Sequence, residues 1–134
     1  MKISPTKIFL ICPVRNIEQV EKTQIETYVS KLEDEGKKVY WPLRDTNQDD
    51  SVGLRICQDN RKAIIESDEV HVWWNPSSQG SLFDLGITFG VDKKVVLANP
   101  ESVKITPHKS FNNVLLALNL LKSSALDLDK EVKT

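Results

Sequence analysis

Cysteine and histidine are scarce here, with two of each in 134 residues. Cys12 lies in an apolar run and Cys57 in a stretch of helical spacing, and neither belongs to a CxxC pair. A disulfide framework is therefore not expected. His71 and His108 are far apart and join no cysteine cluster, so no metal ion is expected. An excess of one charge is also lacking. The net charge is −1, whereas a nucleic-acid polymer is usually met by a clear basic surplus. Long hydrophobic runs are missing too. Ile8–Val14 is too short for a secretory leader and is followed by Arg15. No segment approaches the roughly 20 apolar residues that cross a bilayer. No membrane partner and a cytoplasmic location are the expectations. The glycine signatures GxGxxG and GxxxxGK[ST] are absent. NAD and ATP chemistry of those kinds is disfavoured, and no cofactor is expected.

What is present reads as one ordinary globular domain. Forty per cent of the residues are hydrophobic and 28% charged, and a chain of this length can bury a real core. The domain is expected over residues 1–123, with a charged tail at 124–134. Apolar runs alternate with amphipathic stretches. Lys7–Cys12 (KIFLIC) is continuously apolar, as in a strand buried on both faces. Asn16–Gly36 keeps helical spacing, with Asn16 able to cap its start and Gly36 suited to the position just past its end. Lys38–Trp41 is a second strand, Leu43–Ser51 a polar loop and Val52–Ser67 a helix. Glu69–Trp74 is a third strand and Asn75–Ser78 a capping loop. Gln79–Val91 is a helix and Lys94–Ala98 a fourth strand. Asn99–Lys109 is a connector, and Ser110–Leu121 a strongly apolar helix.

This order predicts an α/β fold: a three-layer, doubly wound parallel sheet of four or five strands, flavodoxin-like or Rossmann-like. Lys104–Thr106 is the candidate fifth strand. In such sheets ligands bind beyond the carboxyl ends of the strands, where the strand order reverses. For the flavodoxin-like order that point lies between the first and third strands. It selects the loops Pro13–Asn16 and Asn75–Gly80, with Leu43–Ser51 alongside. Arg15 and the helix start at Ser78, Gly80 and Ser81 could receive an anion there. Each residue also has a plainer reading. Ser78 could serve only as an N-cap, Arg15 as a surface charge and Cys12 as a small buried hydrophobe. Asp59 and Asp84 could be surface carboxylates, and His71 a satisfied core or interface histidine. The Asp45–Asp50 stretch could be a solvated loop.

The segment S-Q-G-S-L-F-D-L-G at Ser78–Gly86 resembles the nucleoside 2-deoxyribosyltransferase superfamily, whose motif is approximately D/S-x-G-[ST]-x-x-E-x-G. FLICPVRN, DNRKAIIESDEVHVWW and KKVVLANP extend the similarity over most of Lys7–Pro100. The resemblance implies a small-molecule nucleoside or nucleotide as partner. It implies hydrolysis or transfer at the N-glycosidic bond of a (deoxy)nucleoside or its 5′-monophosphate. Asp84 stands where the family has its catalytic glutamate. Ser78 stands where transferases have Asp and nucleotide hydrolases have Ser. Gly80 and Ser81 stand at the turn that receives sugar or phosphate. Asp59, with Asn60 as competitor, is near the acidic residue that handles the base. Cys12, Pro13 and Arg15 fall on the first loop, where the hydrolases carry an arginine. Two departures stand out: Asp84 is one methylene shorter than Glu, and Phe9 replaces a frequent tyrosine. A non-catalytic nucleotide-binding module is the alternative these departures suggest. The final helix is apolar beyond one face, which predicts a homo-oligomer, most simply a dimer.

Overall fold

A computed structural model of the chain describes residues 4–123. The order is β1 (Lys7–Ile11), α1 (Gln19–Asp34), β2 (Lys38–Tyr40), α2 (Pro42–Asp45), α3 (Leu54–Glu66), β3 (Glu69–Val72), α4 (Gln79–Gly90) and β4 (Lys94–Leu97). A 3₁₀ turn (Pro100–Ser102) and α5 (Phe111–Ser123) follow. The strands lie in the order β2-β1-β3-β4, all parallel. Phe9 faces Tyr40 on one side and Val70 on the other, and Val70 faces Val95.

β1 is apolar throughout because it is central and covered on both faces. Phe9 and Ile11 join Val70, Val72, Val95 and Leu97 against Ile64 of α3, Leu85 of α4 and Leu115 of α5. The alternate residues Ile8 and Leu10 join Val39 and Trp41 against Ile25, Val29 and Leu32 of α1. The result is the three-layer arrangement expected of alternating strands and helices. His71 takes the α1 side, where Tyr28 Oη lies 2.5 Å from its Nδ1 and Glu69 Oε1 lies 2.8 Å from its Nε2. These bonds account for its burial as part of the scaffold.

The start of α1 differs from expectation. The helix begins at Gln19, and Asn16 sits in the preceding turn at φ 56°. Asparagine tolerates that left-handed conformation through its short polar side chain. At the other end Gly36 does occupy the left-handed position (φ 89°), and Lys37 N donates to Leu32 O at 3.1 Å. The 43–51 loop begins with the single turn α2 and closes as a cap for α3. Asp50 accepts from the backbone N–H groups of Val52, Arg55 and Ile56. Bonds from the backbone at Gly53, and then from those three, hold its carboxyl below the usual range.

The fifth strand does not form, and the sheet has four strands among the described residues. Helix side chains take the polar groups a strand would have paired. Asn112 Nδ2 donates to Lys104 O (3.0 Å), and Asn113 bonds both the N–H and the C=O of Thr106 (2.9 and 3.1 Å). Leu97 N, on the outer edge of β4, donates to Asn119 Oδ1 at 2.8 Å. α5 thus covers the edge on which a further strand would have added. The helix is not wholly enclosed: Leu115 is buried, while Phe111, Val114, Leu120 and Leu121 are exposed. The expected tail at 124–134 lies outside the described residues. No helix among the described residues is long and apolar enough to cross a membrane.

Asn99 ties the end of β4 to the loop that follows β3. Its buried amide accepts from Trp74 N (2.8 Å) and donates to Trp74 O (3.0 Å). Asn99→Ala would leave both Trp74 groups unpaired inside the protein. We expect a loss of about 2–3 kcal/mol in stability, measured as a lower midpoint of urea unfolding at unchanged slope.

Candidate active site

The carboxyl ends of β1 and β3 are neighbours, and the chain leaves them towards opposite faces. α1 follows β1 on one side and α4 follows β3 on the other. The crevice between them lies at the reversal of strand order. Cys12 and Pro13 extend β1 into it and are buried. Arg15 stands exposed on the turn beyond and makes no ion pair among the described residues.

The loop after β3 is built to start a helix. Asn75 Oδ1 accepts from Ser77 N (2.9 Å), and Ser78 is the N-cap of α4. Ser78 Oγ accepts from Ser81 N (3.2 Å) and from the Ser81 hydroxyl (2.8 Å). A hydroxyl oxygen has two lone pairs and one hydrogen. Capping uses both lone pairs and leaves the Ser78 O–H free to donate. The two readings of Ser78, cap and ligand contact, are therefore compatible. Ser81 is buried, whereas Gly80 is exposed and a Cβ built on it meets nothing within 4 Å. The helix start is thus sterically open.

One turn further, Asp84 lies on the inner part of α4, partly buried beside Ser81 and Leu85. Its carboxyl makes no hydrogen bond or ion pair among the described residues. Desolvation pushes its pKa up to about 7. The Cys12 thiol is pushed up to about 12, first by burial; the Trp41 indole beside it acts in the opposite sense, and the Asp84 and Glu21 charges raise it further. The thiol is therefore neutral and is no nucleophile. Trp41 Nε1 is itself buried and has no hydrogen-bond partner among the described residues.

The fold joins Ser78 to Ser81 and sets Cys12 just past β1 and Asp84 on α4. It engages Asp59 elsewhere. Asp59 Oδ2 accepts from Arg55 Nη1 at 2.6 Å, with its side chain 47% exposed. The same guanidinium bonds the backbone oxygen of Asn47, so this pair fastens the loop after β2. The neighbouring Asn60 points inward: it is buried and accepts from Thr46 Oγ1 (2.8 Å), which in turn lies 2.7 Å from Tyr40 Oη. Phe9 is fully buried and stacks on Tyr40 with ring centroids 5.6 Å apart. Glu21 is a residue that sequence reasoning passed over. It sits in the first turn of α1, and its neighbours in the chain carry no motif.

No protein-family model matches the chain, and no curated protein sequence matches it. Solved structures do. A CMP N-glycosidase, BcmB, of Clostridium botulinum is 26% identical, over 69% of this chain and 67% of that one, with a TM-score of 0.51. A 2-deoxyribosyltransferase of the psychrotolerant bacterium Bacillus psychrosaccharolyticus shares the fold. It is 20% identical over 84% of this chain and 96% of that one, with a TM-score of 0.56. Both structures belong to the nucleoside 2-deoxyribosyltransferase superfamily.

Proposed function

We propose that this chain, similar to the nucleoside 2-deoxyribosyltransferase superfamily in fold and in its Ser78–Gly86 motif, is an enzyme acting at an N-glycosidic bond. Its substrate is a small nucleoside or the 5′-monophosphate of one. The observation that carries the reading is Asp84: a desolvated carboxyl with no protein partner among the described residues, at the crevice where strand order reverses.

Breaking the C1′–N bond sends its electron pair to the departing base and leaves oxocarbenium character on the sugar. An ionised Asp84 stabilises that charge, or attacks C1′ to form a glycosyl ester that water or a second base then opens. Desolvation favours this role, because a carboxylate stripped of water gains most when positive charge develops beside it. Ser78, Gly80 and Ser81 at the start of α4, with Arg15 on the loop after β1, receive the sugar hydroxyls or a 5′-phosphate. Cys12 and Pro13 form the floor. The group that handles the departing base is Asp59, once it leaves Arg55, or the inward-facing Asn60.

A nucleotide-binding module without turnover is the second reading. Burial of Phe9 against Tyr40, with no hydroxyl at that position, favours it. Base release measured by chromatography separates the two, using a panel of nucleosides and 5′-monophosphates. An enzyme releases free base. A binding module is stabilised thermally by panel members without releasing any.

The same proposal includes self-association. Phe83 and Phe89 are exposed on α4, as are Phe111, Val114, Leu120 and Leu121 on α5. Apolar surface of this kind is commonly covered by a second copy. We expect sedimentation equilibrium to give the mass of a dimer; a monomer at micromolar concentration would refute that part.

A further inference from the structure

We propose that Glu21 reads the sugar in this site: its carboxylate accepts hydrogen bonds from a vicinal diol, so that a ribosyl ligand is preferred over its 2′-deoxy counterpart. The inference rests on the glycosidic reading above.

Two carboxylates sit on the helices that follow β1 and β3 on opposite faces of the sheet, Glu21 in the first turn of α1 and Asp84 on α4. Glu21 is held in place by the residues that end the third strand. Trp73 Nε1 donates to its Oε2 at 3.2 Å, and Asn75 Nδ2 lies 3.4 Å from each of its oxygens. The side chain therefore spans the gap at which strand order reverses. Its contacts are long, and a carboxylate offers about four acceptor positions. Glu21 also lines an open cleft with Asn16, Glu18, Gln24 and Asn75. No lysine or arginine lines that cleft among the described residues, and Glu21 makes no ion pair there. It is an oriented acceptor with capacity to spare.

Such a group suits hydroxyl donors and repels phosphate. A vicinal diol meets the two oxygens of a carboxylate in pairs, as the acidic residue of dinucleotide-binding folds meets ribose. With Asp84 at C1′, the 2′-hydroxyl is one carbon away, so its reader must belong to the same crevice. Of the two carboxylates lining the cleft beside Asn75, Glu18 and Glu21, it is Glu21 that Trp73 and Asn75 orient at the end of β3.

The test uses Glu21→Gln, which keeps the side-chain length and one acceptor oxygen for Trp73. Base release from a ribonucleoside and from the 2′-deoxynucleoside of the same base is measured for both proteins. The ratio of their kcat/KM values cancels their different intrinsic reactivity. We expect the ribosyl-over-deoxyribosyl ratio to fall about tenfold to a hundredfold in the variant. The change should lie in KM for the ribosyl substrate, with kcat within about twofold and the thermal midpoint unmoved. An unchanged ratio, with release intact in both proteins, overturns the role of Glu21 alone. Absence of both release and thermal stabilisation in the unmodified protein overturns the glycosidic reading together with this inference. Should Glu21→Gln fold poorly, Glu21→Asp serves instead. It retracts the carboxylate by one methylene and should lower the ratio in the same direction; no change there is equally decisive against the role.

Discussion

Asp84→Asn should lower base release by about a thousandfold and, at pH 8, make the protein more stable. The two effects have one cause. A carboxyl whose pKa stands at about 7 in the fold, against an ordinary value near 4, costs the folded state up to about 4 kcal/mol once ionised. Asparagine occupies nearly the same volume and carries no charge. Part of the gain is lost because its amide also lacks a partner. A net gain of about 2 kcal/mol corresponds to roughly 5–10 °C in Tm for a domain of this size. At pH 4 the native Asp84 is protonated, and the two proteins should unfold at nearly the same temperature. An ordinary solvated carboxylate on a helix would change neither activity nor the Tm difference between the two pH values. Calorimetry at pH 4 and pH 8 together with base release therefore tests the assignment from two independent sides. Loss of activity with a lower Tm at both pH values would mean that Asp84 is merely structural.

The second large effect is the pH dependence of the reaction. If Asp84 acts ionised, at the developing positive charge, kcat/KM should rise tenfold per pH unit below about 7 and level off above it. Stability should run the other way. The folded-state pKa is raised, so between about pH 4 and pH 7 the native state holds the proton more tightly than the unfolded chain does. This group's contribution is then complete below the unfolded value and is lost as pH rises through 7. Activity and the Asp84 share of stability thus exchange over the same window. A rate that instead falls above pH 7 would reverse the role and make Asp84 the proton donor to the leaving base. Asp84→Asn should flatten the stability profile over this range, which links the titration to this residue.

Several features of the fold are written locally. KIFLIC reads as a central strand because every residue is apolar, and the structure covers both its faces. Gly36 marks the end of α1 because a left-handed residue is needed there. Ser78 marks the start of α4 because its side chain can accept from the helix it opens. The reading fails where a local signal has a distant competitor. Lys104–Thr106 has the composition of a short strand, but Asn112 and Asn113 occupy its backbone groups and α5 covers the edge it would have joined. Asn16 looks like a helix cap, but the turn it belongs to bends it away.

By itself the sequence determined the alternation of strand and helix, the parallel sheet and the crevice where its order reverses. Hydrophobic period, turn chemistry and the short reach of connections act between near neighbours and survive in a one-dimensional reading. Through Ser78–Gly86 it also determined which helix carries the candidate carboxylate. The tertiary structure alone decided how those groups behave. The Asp84 pKa comes from water excluded by packing around α4. The occupation of Asp59 comes from Arg55 fastening a loop. The place of Glu21 at the end of β3 comes from Trp73 and Asn75, more than fifty residues away along the chain. Desolvation and hydrogen bonding depend on what surrounds a group in space, and no spacing along the chain encodes that.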